Sequence, residues 1–134
     1  MRHTKLLVAA AIGAVLGAVG MNALNAQQPG FKRTQLQDRE LSIADRHAVV
    51  AMAEFAAGGV AAPHTHPGEE LGYVLEGALQ LEVAGQPPVT LKAGDAFFVP
   101  ANVVHGGKNV GNGTLKVLAT YIVEKGKPVA SPVK

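Results

Sequence analysis

The sequence predicts an all-β domain, a sandwich or barrel, and three observations carry that prediction. From Arg46 onward the chain is a series of short apolar runs, each closed by glycine or proline. The run over residues 78–85 alternates cleanly, with Leu79, Leu81 and Val83 on one face and Gln80 and Glu82 on the other. No stretch after residue 27 combines helical periodicity with the capping residues of a helix.

Residues 1–26 stand apart from that domain and read as a secretory signal peptide. Arg2 and Lys5 precede an uncharged apolar run over residues 6–19, and Asn25-Ala26-Gln27 offers a small residue at the break. Cleavage is expected after Ala26, although Leu24 is bulky for its place before the cut. The alternative is an uncleaved anchor, since residues 6–26 carry no charge and just reach the length of a bilayer span. Either way the folded part is exported: periplasmic or secreted, or held at the membrane facing the periplasm. The whole chain of 134 residues has 12 basic and 10 acidic residues, and loss of Arg2 and Lys5 leaves a neutral domain with no basic stripe for nucleic acid. There are no cysteines, so a metal would have to be held by imidazole and oxygen.

The remaining elements follow in order. Residues 27–45 are polar, with Phe31, Leu36, Leu41 and Ile43 as isolated apolar points, and read as a leader that becomes an edge strand or arm. Residues 47–55 form a strand apolar on both faces, closed by Ala57-Gly58-Gly59. Strands follow at 70–77, 78–85, 89–95, 96–100, 103–109 and 114–124, with glycine, proline or asparagine at the junctions. The barrel is expected over 46–125 and a loose, Pro-rich tail over 126–134.

Three histidines fall where chemistry is suggested. His64-Thr65-His66 is an alternating pair, so in an extended strand both rings face one side, about 7 Å apart. Glu70 shares that parity, although a turn at Pro67-Gly68 leaves its direction open, and His105 lies on another strand. Three imidazoles and a carboxylate suit Fe, Mn, Zn, Ni or Cu as divalent ions. A lone His-x-His pair is more often solvated; the wider spacing is what distinguishes this one. Gly58 precedes His64 by five intervening residues, three separate His66 from Glu70, and six separate Glu70 from Gly77. Gly94 precedes Pro100 by five, and His105 and Asn109 follow.

These two stretches resemble the two motifs of the cupin superfamily over roughly residues 48–125. The one departure is Asn102, where the family usually has glycine; asparagine best tolerates the left-handed turn such a glycine would serve. The resemblance implies a single jelly-roll β-barrel with a divalent metal inside it, held by His64, His66, Glu70 and His105. The second nitrogens of the imidazoles then need hydrogen bonds from buried carbonyls, Asn109 or nearby side chains.

Around the motifs, Met52, Tyr73, Phe97 and Tyr121 are candidate pocket walls, and Phe97 and Phe98 face opposite ways. Glu69 reads as a solvated neighbour of Glu70, Glu76 as a rim residue, Asp95 as a turn cap and His47 as a surface or edge residue. The doubly apolar strand 47–55 suggests contact with a second copy, a homodimer. Three functions stay open. The first is a metal-dependent, dioxygenase-like enzyme acting on a small oxygen-rich molecule, with Glu70 as ligand and candidate proton acceptor. The second is a non-catalytic protein that holds a metal or small ligand. The third is a metal serving only as a structural staple. Few Arg or Lys lie near the motifs, a mild argument against a strongly anionic substrate such as a nucleotide sugar.

Overall fold

The computed structural model describes residues 28–134, so the expected signal peptide lies outside the described residues. In chain order the strands are β1 (Phe31–Glu40), β2 (Arg46–Phe55), β3 (Val60–Thr65), β4 (Gly68–Glu76), β5 (Ala78–Val83), β6 (Val89–Lys92), β7 (Ala96–Val99), β8 (His105–Asn109), β9 (Leu115–Glu124) and β10 (Ser131–Pro132). They make two antiparallel five-stranded sheets, ordered β1-β2-β9-β4-β7 and β10-β3-β8-β5-β6. Every strand expected between residues 46 and 125 is present, and the two-sheet arrangement is that of a jelly roll.

Period-two alternation decides which side chains enter the barrel. On β9 the inward set is Leu115, Val117, Ala119, Tyr121 and Val123, and on β2 it is Val49, Ala51, Ala53 and Phe55. Cross-strand register stacks these sets into rows. Phe55 faces Leu115, and Ala53 faces Val117 and then Val74. The next row is nearly empty: Ala51 faces Ala119, which faces Gly72. Phe97 fills part of that space, because a Cβ on Gly72 would stand only 2.0 Å from its ring. Beyond it lies the row of Val49, Tyr121, Glu70 and Val99.

Turn chemistry matches the sequence. Gly58, Gly77 and Gly94 have φ of 72°, 86° and 96°, and Asn102 has φ 61°. At Gly77 a side chain would also meet the Thr114 carbonyl oxygen at 2.7 Å, so both conformation and space require glycine. Asp95 caps its turn by accepting a hydrogen bond from the Lys92 amide at 2.9 Å. Pro100 directly follows the end of β7.

The barrel extends past both ends of the expected span 46–125. The arm at 27–45 contains β1, which pairs along the length of β2 and sends Phe31 and Arg33 into the interior. Only those two positions of β1 are buried, which is why its apolar pattern is so faint. The tail at 126–134, expected to be loose, buries Val129 and adds β10 to β3. One valine among prolines carries no periodic signal.

Candidate metal centre

The site forms where the end of β3, the start of β4 and the start of β8 meet. His64 is in register with His105 across β3 and β8, and the β3–β4 turn carries His66 and Glu70 to the same place. That turn is tight: a Cβ on Gly68 would stand 1.8 Å from the Ile122 carbonyl oxygen. It is held from the other side by Asn102, whose amide donates to the His66 carbonyl at 2.9 Å. The departure from glycine at position 102 thus keeps the left-handed turn and its link to the site.

The ring centroids lie 4.8 Å apart for His64 and His66, 4.3 Å for His64 and His105, and 4.9 Å for His66 and His105. One ligand atom from each of His64, His66, Glu70 and His105 lies within 4.8 Å of all the others. All four predicted ligands therefore come together, and His66, Glu70 and His105 are at most 6% exposed.

Hydrogen bonding orients these rings toward a common point. Nδ1 of His64 lies 2.7 Å from the Ala62 carbonyl oxygen, that of His66 2.6 Å from Val129, and that of His105 2.9 Å from Val103. A carbonyl only accepts, so each Nδ1 carries a proton and each ring turns its Nε2 inward. Among the described residues the buried Nε2 atoms of His64 and His66 have no hydrogen-bond partner. Glu70 Oε2 lies 2.9 Å from Nε2 of His105 and 3.0 Å from that of His66, the latter off the hydrogen-bonding direction. Lone pairs facing a carboxylate at that range repel unless a proton or a cation stands between them. Separations near 3 Å are also those of neighbouring ligands at right angles around an ion with bonds of about 2.1 Å. The four residues fit a divalent ion, and they can hold one.

Electrostatics prepare the donors. Burial pushes His64 down to about 3, leaving it neutral and ready to bind at physiological pH. Burial alone would raise the Glu70 carboxyl, but the His105 and His66 rings against it hold it well below the usual carboxylate range. Burial and the Glu70 charge push the Tyr121 hydroxyl up, so it stays protonated.

A cavity of about 40 Å³ adjoins the ligands, lined among others by Phe31, Arg33, Phe97, Val117 and Tyr121. Two of the expected wall residues, Phe97 and Tyr121, are there. The other two are not. Tyr73 is 45% exposed and Met52 half-buried on the outer face. Tyr73 has the opposite parity to Glu70, a signal legible in the sequence; on β2, apolar on both faces, parity gave no guide. Phe98, opposite in parity to Phe97, points outward. Asn109 does not touch the histidines: its Nδ2 donates to the carbonyls of Phe55, Ala56 and Gly113, tying two loops together. Glu69 and Glu76 face away from the site, and His47 pairs with Asp38 across the β1–β2 edge at 2.7 Å. Arg33 is a wall residue that the motifs did not reveal, and it puts a cation in the pocket although few lie near the motifs.

Residues 51–121 match the family model described as "Cupin domain". The chain is a cupin. Among curated relatives this cupin is 36% identical over 77 residues to germin-like protein subfamily 2 member 2 of Arabidopsis thaliana, covering 54% of this chain and 35% of that one. The chain thus spans about a third of the length of that relative. Among solved structures it resembles an RmlC-like cupin from Shewanella frigidimarina, with TM-score 0.57 and 26% identity over 74% of this chain and 81% of that one. It also resembles a predicted oxalate decarboxylase from Thermotoga maritima, with TM-score 0.60 and 29% identity over 69% and 80% of the two chains.

Proposed function

We propose that this cupin is an exported metal protein whose centre serves oxidation of a small oxygen-rich molecule. The observation that carries the reading is the convergence of three carbonyl-anchored imidazoles and one ionised carboxylate, with two Nε2 atoms buried and unpartnered. His64, His66, Glu70 and His105 would hold the ion, which supplies Lewis-acid and, for iron, manganese or copper, one-electron chemistry when bound. Phe31, Phe97 and Val117 keep the cavity largely apolar and limit water. The Tyr121 hydroxyl, kept protonated beside Glu70 and Arg33, would donate to a substrate oxygen in exchange for its contact with Glu70. Glu70 would serve as ligand, and as proton acceptor only once released from the His66 and His105 rings that hold its carboxyl low. The relative described as a predicted oxalate decarboxylase supports a small, oxygen-rich substrate.

A second reading, a protein that holds a metal or small ligand without chemistry, is favoured by how small the cavity beside the ligands is. Elemental analysis of protein purified without chelator or affinity nickel, beside His105→Ala, tests the shared part. About one transition-metal ion per chain in the parent, lost in the variant, is expected. No metal in either after reconstitution overturns the enzyme and the metal-holding protein, and leaves only a protein that holds a small ligand. Oxygen uptake or turnover with small organic acids then separates the enzyme from the binding protein.

A homodimer is part of the proposal. Leu71, Tyr73 and Phe98 are 46%, 45% and 56% exposed on the outer face of the β1-β2-β9-β4-β7 sheet, beside half-buried Val50, Met52 and Leu118. A continuous apolar sheet face of that kind suits a second copy. Light scattering should give twice the chain mass, and Phe98→Glu should halve it; a monomeric parent overturns the dimer.

A further inference from the structure

The apolar lining of the pocket is interrupted by one cation. Arg33 shares the inward face of β1 with Phe31 and is only 7% exposed. Its Nε is buried with no hydrogen-bond partner among the described residues, and the polar neighbour of its guanidinium is the uncharged Tyr121 hydroxyl. Among the described residues it forms no salt bridge. Glu70 lines the same cavity, but its carboxylate is engaged by His66 and His105. The Arg33 Cζ lies 5.3 Å from the Phe31 ring centroid and 5.6 Å from that of Tyr121. Two ring faces offset part of the cost of taking a guanidinium out of water, but they are no substitute for a counter-ion.

The position of Arg33 gives that missing anion a source. Phe31, Arg33, Ala61 and His64 line both this cavity and a second, adjoining one of about 210 Å³, lined also by Gln28, Pro63, Ala130 and Pro132. The guanidinium therefore borders both spaces. Charge points the same way. A divalent ion held by three neutral imidazoles and one carboxylate keeps one positive charge, and Arg33 adds another in the same low-dielectric cavity. A neutral guest would leave both uncompensated. The enclosed space of about 40 Å³ holds roughly three waters, so the enclosed part of a guest has only a few non-hydrogen atoms.

We propose that Arg33 is the anion anchor of this pocket, binding the carboxylate of a small organic acid whose other oxygens face the metal centre, and so sets the substrate class. This rests on the metal-centre reading and deepens it. An arginine suits the task because its planar fork matches a carboxylate and it stays charged at any working pH.

The test titrates acetate, glycolate and oxalate, with acetamide and glycolamide as uncharged counterparts, into metal-loaded and chelator-stripped protein by calorimetry. The acids should bind about tenfold or more tightly than the amides, and Arg33→Met should weaken the acids about tenfold or more in both states. Metal content should be unchanged, and the melting temperature should hold or rise, since an unpaired buried charge is replaced by an apolar stem. Unaltered acid affinity in the variant overturns the proposal, as does the absence of acid binding to the parent. So does a lowered melting temperature with loss of metal, which would make Arg33 a structural prop. Arg33→Gln, which keeps a polar head, yields the same comparison should the methionine variant misfold. A parent that takes up no metal defeats the metal reading separately; the titration of stripped protein then decides Arg33 alone.

Discussion

The two ends of the barrel interior are built on the same strands by opposite means. At one end Phe31, Phe55, Val74, Leu79, Leu81, Leu115 and Val117 form an apolar cluster in which the Phe31 and Phe55 rings pack at 4.7 Å. At the other, Val49, Ala51, Ala119, Tyr121, Val123 and Val129 surround the buried polar groups of the site. The inward residues of β2 and β9 keep one parity throughout, yet they shrink at Ala51 and Ala119, opposite Gly72. That change in volume opens room for imidazoles and a cavity. The first end is stabilised by removing apolar area from water; the second depends on each polar atom finding its partner.

Substitution at the apolar end should show the largest effect on stability alone. Leu115 is fully buried, so Leu115→Ala should cost about 2–5 kcal/mol in chemical denaturation, with metal content per chain unchanged. Loss of metal in that variant would show that the two ends are not separable.

Acid should act on the polar end. In metal-free protein the folded state keeps His64 neutral down to about 3, while the unfolded chain protonates it near 6.5. The unfolded state then binds more protons, so stability is full above about pH 6.5 and falls as pH drops toward 3. Glu70, held below its ordinary 4.5, adds a loss of the same sign at still lower pH. Urea midpoints of chelated protein at about pH 7.5 and 5.5 check this, and a midpoint that rises on acidification contradicts it. Bound metal should flatten the profile until protons displace it.

The smallest effect separates two adjacent carboxylates. Glu69 is opposite Ile122 on the outer face, whereas Glu70 faces inward. Glu69→Gln should leave metal content and melting temperature unchanged, and any loss of metal would place the wrong glutamate in the site.

Most of the barrel was legible because β structure writes itself locally. Turn glycines, the alternation over residues 78–85 and the spacing of His64, His66 and Glu70 are each set within a few residues of chain. The ligand set was legible for the same reason, with His105 joined to it through the family resemblance. What could not be read were features decided across the barrel. Met52 sits on a strand apolar on both faces, so its direction depended on which sheet covered it.

By itself, then, the sequence determined β2 and β4 to β9, their turns and, with the family resemblance, the four candidate ligands, because steric preferences and period-two patterning act between neighbours in the chain. Only the tertiary structure decided that the Val129 carbonyl of the C-terminal tail orients His66, 63 residues away. It likewise decided that Arg33 of the first strand enters the pocket beside Tyr121. Both contacts join segments with no periodicity of their own, and they exist because closing the barrel brings each segment against a wall it does not encode.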